Sequence, residues 1–311
     1  MATVADLTNI INRETHDVPA DPELVNQWMQ YRYASVLERA PWPFLIKEAT
    51  FNTVGEVTAG TVTLTLNSGT VTETTSNANG WSSALTGRYF RRDGDNEFYE
   101  ISGFDNLNPD TLTLERVYEG SSGTVLGYSI FQRLYAVEAT DVREIIWMSR
   151  IDVPEPLDKV GQSEIDYIFP NRTTLGNPEV WAPAGRDSSN LLRFELYPIP
   201  DEAHGILYHY IQSAPSLADG GSTILPQVNV GLLRSGILAD YWSWRCARTD
   251  TPPFAIVKSQ AFEAEFEKRL QEMFVRECPN FPAQKMRLAR RYTRHRTISK
   301  FMPRVTLDVD S

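Results

Sequence analysis

The chain has 311 residues, 41% of them hydrophobic and 23% charged, enough to bury a sizeable core in two domains or in one domain carrying a large insertion. Its net charge of −10 is unevenly spread: residues 278–311 hold 8 basic and 2 acidic side chains, leaving 22 basic and 38 acidic for residues 1–277, so the body repels nucleic acid and the tail does not. Cys246 and Cys278 form no CxxC pair or disulfide framework, and the early acids Asp6, Glu14, Asp17, Asp21 and Glu23 leave no apolar leader, so neither an oxidising compartment, a signal peptide nor a membrane span is expected, and a cytosolic site of synthesis is the default.

Ala5 to Thr15 places Leu7, Ile10 and Ile11 on one face, with Asp6 near the positive helix start, and predicts a short first helix. Asp21 is the expected N-cap of a second helix over Glu23 to Arg39, with Pro22 at the first position, where its missing N–H costs nothing. Leu24, Val25, Trp28, Tyr31, Val36 and Leu37 form its expected apolar face, and Pro41 and Pro43 in APWPFL stop it.

From Glu48 the period changes from helical to alternating. GTVTLTL (60–66) puts Val62, Leu64 and Leu66 on one face; GTVTETT, GRYFRR, EFYEISGF, DTLTLE and GYSIFQ continue in the same style, separated by Gly, Asn and Asp. A small antiparallel barrel or sandwich is expected up to about Gln132. VEATDVREIIWMSRID then contains a turn or short helix before Ile145, Ile146 and Trp147, and the proline-rich stretch to Pro183 gives no regular assignment. LLRFELYPIP and GILYHYIQSA are read as two strands joined by the DEAH turn, with Leu192, Phe194 and Leu196 alternating.

Val228 to Arg248 is the third long helix, with Leu232, Leu233, Ile237, Leu238, Tyr241 and Trp242 at helical spacing. After TDTPP comes the longest amphipathic stretch, from Phe254. Ile256, Val257, Ala261, Phe262, Phe266, Leu270, Met273 and Phe274 mark one stripe along about six turns. Pro279 and Pro282 end it, and from Cys278 to Leu307 there is no acidic residue. The tail interleaves the cations Lys285, Arg287, Arg290, Arg291, Arg294, Arg296, Lys300 and Arg304 with Leu288, Tyr292, Ile298, Phe301, Met302, Val305 and Leu307, a composition suited to ordering on a partner. The expected fold class is α+β: a bundle of N- and C-terminal helices with a large inserted antiparallel β barrel or sandwich and an extended tail. The parts are 1–47 and 224–278 (helical), 48–135 (β insert), 136–223 (mixed β connection with a hairpin) and 279–311 (tail).

Motifs for chemistry are missing. GSSGTV lacks the Lys-Ser/Thr of a phosphate loop, and GxGxxG does not occur. His16, His204, His209 and His295 include no HExxH. Asp93, Asp95 and Glu97 lack the glycine-and-glutamate frame of a calcium loop and suit a hairpin turn. Glu38/Glu48 and Asp201/Glu202 offer carboxylate pairs that arise by chance in a chain with 40 acids. No catalytic residue, cofactor site or metal site is therefore expected. Trp81, Tyr89, Phe90, Phe98, Tyr99, Tyr118 and Tyr128 admit a sugar- or base-stacking surface, with core packing the favoured use.

The order of APWPFL (40–45), IIWM (145–148), PNRTTLGNPEVWA (170–182), FELYPIP (194–200), YHYIQSAPSL (208–217) and the ILP entry to the last helices resembles the head-to-tail adaptor (connector, or head-completion) proteins of tailed bacteriophages. The β insert, with NANGWSSALTGRYFRR, is similar to a β module recurring in phage virion proteins. The resemblance implies a non-enzymatic virion protein in the neck. It implies a dodecameric ring of this chain that joins the portal protein ring to tail or nozzle proteins, with double-stranded DNA passing through without sequence-specific binding and no membrane contact. The portal-docking tail would use Arg287, Arg290, Arg291, Tyr292, Arg294, Arg296, Ile298, Lys300, Phe301, Arg304 and Leu307. An acidic body suits a channel through which DNA slides, since basic walls would hold phosphates. Two other classes stay open: a virion-associated cell-wall glycosidase, and a host-glycan or nucleic-acid binding module using the β aromatics.

Overall fold

The computed structural model describes residues 3–15, 18–74, 80–153, 155–170, 173–217, 222–248 and 253–278. It is a mixed α/β protein whose described residues hold five α-helices and three sheets, antiparallel but for one short pairing. The chain divides into two compact units, one from Met1–Ile46 with Ser213–Ser311, the other Lys47–Gln212.

In the first unit, α1 (Val4–Glu14) begins in a capping box: Thr3 Oγ1 accepts from the Asp6 amide at 3.1 Å, and the Thr3 amide donates back to Asp6 Oδ2 at 2.9 Å. Those hydrogen bonds from Thr3 hold the Asp6 carboxyl below its ordinary pKa. The helix buries Val4, Leu7 and Ile11. In α2 (Pro22–Glu38), Asp21 accepts from the Glu23 amide at 3.0 Å and Pro22 opens the first turn. The buried stripe is Val25, Met29, Tyr33, Val36 and Leu37, whereas Tyr31 is 69% exposed. This corrects the expected face: at about 100° per residue, position 31 lies on the far side from 29 and 33. Beyond α2, Trp42 is buried and its Nε1 donates to the Val36 carbonyl at 2.7 Å, folding the APWPFL turn back over the helix end.

Two further helices complete this unit. α4 (Val230–Cys246) is capped by Asn229 and buries residues around most of its circumference, including Leu232, Leu233, Ile237, Leu238 and Tyr241. It touches α1, α2 and α5 (Ala255–Glu277). Gly236 permits a close approach: a Cβ there would lie 2.9 Å from Phe266 and 3.0 Å from Arg32. The expected stripe of α5 needs a correction, since Phe266, Leu270 and Met273 are buried but Ile256 and Val257 are 58% and 65% exposed.

The second unit contains a seven-stranded antiparallel sheet: β2 (Val62–Leu64), β3 (Thr70–Glu73), β4 (Tyr89–Arg92), β5 (Tyr99–Asp105), β6 (Thr111–Leu114), β7 (Gly123–Leu126) and β8 (Tyr128–Phe131), in the order β7-β2-β3-β6-β5-β4-β8. Its core takes Val62 and Leu64 from one side of the sheet and Tyr128 and Ile130 from the other, so the sheet curls as a half-barrel around Phe90, Tyr99, Ile101 and Leu112. Val57 bridges to Ile130, and Tyr128 Oη donates to the Ala59 carbonyl at 2.6 Å, tying the β8 edge to the chain that enters β2. Leu66 is exposed, a correction: the strand stops at Leu64, and Asn67 turns the chain at positive φ.

Next to it lie two smaller sheets. One has the order β1-β14-β10, from Ile46–Asn52, Gly205–Gln212 and Val142–Arg150; the other has the order β11-β12-β13-β9, from Asp158–Lys159, Val180–Arg186, Leu192–Tyr197 and Leu134–Ala136. Thr53 hydrogen-bonds His204 and Glu48 lies beside His209, so β1 and β14 run antiparallel, with the start of β1 beside the end of β14. The expected hairpin between LLRFELYPIP and GILYHYIQSA is overturned. Both are strands, but β13 pairs with β12 and β9, while β14 pairs with β10, and the DEAH turn crosses between sheets. The turn expected ahead of Ile145 lies at Thr140 and Asp141 and leads into the strand Val142–Arg150, and the unassigned stretch holds β11, β12 and the short helix α3 (Gln162–Ile168).

Candidate assembly surfaces

The eleven tail positions Arg287, Arg290, Arg291, Tyr292, Arg294, Arg296, Ile298, Lys300, Phe301, Arg304 and Leu307 lie outside the described residues. The described chain ends at the last turn of α5, where the Cys278 amide donates to the Phe274 carbonyl at 2.9 Å. Phe274 meets Trp42 edge-on, at 6.0 Å between ring centres, and Arg276 donates to the Gln227 carbonyl at 2.9 Å. The tail therefore starts from an anchored helix end.

What holds that helix is a charged node. Arg32 of α2 donates from Nε and Nη2 to both Asp240 carboxylate oxygens, at 2.7 Å each, and from Nη1 and Nη2 to Glu263, at 3.0 and 2.7 Å. Its guanidinium also lies 4.8 Å from the centre of the Phe266 ring. Burial alone would lower the Arg32 pKa, but the two carboxylates outweigh it and raise it. One side chain of α2 thus fixes the mutual setting of α4 and α5, using the planar fork that arginine alone offers. Sequence spacing gives no sign of this triad, because its members lie 208 and 231 residues apart.

The corner between α4 and α5 is aromatic. Phe254, Val257, Lys258 and Ala261 share one face of α5 at spacings of three and four, and Trp242 of α4 meets Phe254 at 5.8 Å. The Lys258 ammonium lies 4.4 Å from the Trp242 ring and 4.7 Å from the Phe254 ring. Phe254 is 49% exposed, so with Val257 it forms an apolar patch at the helix start. The periodicity of α5 marks Val257 and Ala261 as core, but the structure leaves both exposed.

Of the seven β-region aromatics, Trp81, Tyr89, Phe90, Tyr99, Tyr118 and Tyr128 are buried, and Phe98 is partly buried against Tyr89 and Phe131. Trp81 Nε1 donates to Tyr128 Oη at 2.9 Å. They are packing groups, and none of the six offers a free face for stacking a sugar or a base. Asp93 and Asp95 lie in the turn between the paired strands β4 and β5, where Asp95 accepts from Tyr118 Oη at 2.9 Å. Glu48 lies 3.1 Å from His209, and Asp201 lies 3.7 Å from the buried His204. Among the described residues no three His, Cys, Asp or Glu side chains gather in a set that could hold a metal ion, and no helix is long and apolar enough to cross a membrane.

No curated protein matches the chain at a significant level. The family model of the SU10 adaptor protein, by contrast, matches residues 2–297, which takes in both units and most of the basic tail. An α/β chain with a tightly fixed helical unit, an inserted β unit and an aromatic surface corner belongs, on that match, to the SU10 adaptor protein family.

Proposed function

We propose that this chain is a head-to-tail adaptor of a tailed-phage virion, a structural protein rather than an enzyme. Its copies form a ring, a dodecamer by resemblance, that joins the portal ring to the tail or nozzle proteins and continues the DNA channel. The observation that carries this reading is the adaptor-family match over residues 2–297. The charge distribution supports it: an excess of acid over residues 1–277 lets double-stranded DNA slide past without counterion release.

In this reading the helical segments 1–47 and 224–278 form the ring body as one bundle. The β insert 48–135 and the connection 136–223 supply contacts to tail proteins or to neighbouring copies, and 279–311 docks the portal through Arg287, Arg290, Arg291, Tyr292, Arg294, Arg296, Ile298, Lys300, Phe301, Arg304 and Leu307. Many equivalent tails acting at once give attachment that no single tail provides. Burial of the β aromatics weighs against a glycan or nucleic-acid binding module there.

Negative-stain microscopy of the purified chain, alone and mixed with portal rings, tests the reading. Rings of this chain capping the portal are expected. A chain that stays monomeric beside intact portal rings, or peptidoglycan hydrolysis abolished by neutralising one carboxylate, refutes it.

A further inference from the structure

Among the described residues nothing covers the aromatic corner of α4 and α5, and the chain itself contains a segment suited to it. Residues 279–284, Pro-Asn-Phe-Pro-Ala-Gln, are uncharged and lie between the end of α5 and the first tail cation, Lys285. Proline-containing segments dock readily on aromatic-lined surfaces, because their backbone has little freedom left to lose. We propose that Pro279-Asn280-Phe281-Pro282 of a second copy docks on the patch formed by Trp242, Phe254, Val257 and Ala261.

Reach decides that the occupant comes from another copy. The patch lies at the start of α5 and the segment begins at its end, 23 residues later, which at helical rise is about 34 Å. Four residues of extended chain span at most about 14 Å, so the segment cannot return to its own patch. Charge then sets the register. Lys258 lies across the Trp242 and Phe254 rings and has no carboxylate partner within the described structure, so it repels the run from Lys285 to Arg304 and admits the uncharged residues before it. Each copy offers one patch and one segment, which makes the contact head-to-tail, the kind that closes into rings. The inference rests on the ring proposed above and names one contact that builds it.

Complementation tests this directly in the full-length chain. Phe254→Asp disables the patch and Phe281→Asp disables the segment; Phe254 is exposed, so the circular dichroism spectrum and melting temperature should match wild type. By sedimentation velocity, wild type is expected to associate into closed oligomers and each variant alone to stay monomeric. The equimolar mixture should form a heterodimer and stop there, since it retains one good patch facing one good segment. Lys258→Glu should move the oligomers' salt dependence without dissolving them.

Closed oligomers persisting in either variant, or a mixture that stays monomeric, overturn the docking while leaving the ring reading intact. A wild-type chain that does not associate at any concentration overturns it as well, and the portal-mixing experiment then decides the ring reading separately.

Discussion

Phe266 is the place where the fit between α4 and α5 can be tested most sharply. Its ring is buried, lies under the Arg32 guanidinium, and fills the space opposite Gly236. Phe266→Ala should destabilise the helical unit by about 3–5 kcal/mol, the usual cost of emptying a buried phenylalanine site. Gly236→Ala places a Cβ 2.9 Å from Phe266 Cδ2 and 3.0 Å from Arg32 Cδ, an overpacking cost of about 1–3 kcal/mol, partly offset by about 1 kcal/mol of helix propensity. The double variant is the informative one. With the phenyl ring gone, the added methyl occupies vacated space, so the pair should cost about 1–2 kcal/mol less than the sum of the singles. Urea denaturation followed by hydrogen exchange at α4 and α5 amides measures this and assigns the transition to the helical unit. Additivity within about 0.5 kcal/mol, or a stabilising Gly236→Ala in the wild-type background, refutes the close approach. Phe266→Asp, which buries a charge, should prevent the unit from folding.

Arg32→Lys should destabilise the same unit, because an ammonium cannot reach Asp240 and Glu263 with paired geometry; urea midpoints equal to wild type would remove the node's importance. In the β unit, burial raises the Tyr128 and Tyr135 pKa values to about 12 from an ordinary 10.0. The folded state then keeps protons that the unfolded chain has released, so this contribution is intact below pH 10 and is lost as pH rises towards 12. Alkaline unfolding should therefore set in over that window, and Tyr135→Phe should flatten its slope; a pH-independent urea midpoint from 10 to 12 counts against it. Deleting residues 279–311 should leave both units folded while abolishing co-sedimentation with portal rings. Charge reversal at Arg290, Arg291 and Arg294 should weaken attachment most at low salt, and Phe301→Ser with Leu307→Ser at every salt concentration. Wild-type occupancy after the deletion would end the docking idea.

Local chemistry was legible where the signal is local. Asp21 and Pro22 marked the start of α2, and the alternation of Val62 with Leu64 marked β2. Position 66 misled because alternation continues past the point where Asn67 turns the chain. β7 escaped notice because GTVL is too short for alternation to stand out; its partner β2 supplies the register. The hairpin expected from β13 and β14 failed for a related reason: two alternating runs on either side of a turn look alike whether they pair with each other or with distant strands. Glu195 shows the same limit, a fully buried carboxylate on β13 whose partner Arg133 lies 3.1 Å away and 62 positions earlier. For the tail, composition is the whole of what can be read, and the Arg32 node had no sequence signature at all.

The insert leaves and rejoins the helical unit through neighbouring strands. Because β1 and β14 are antiparallel partners, the chain's exit near Lys47 and its return near Gln212 are separated by roughly one strand spacing, about 5 Å. A gap that small is spanned by one or two residues, and joining it costs little loop entropy. The module is in this sense a detachable cassette. Replacing the whole of 47–212 by a short linker across this single narrow doorway is therefore expected to leave the helices on either side folded, so the module can be shortened or exchanged without redesigning them.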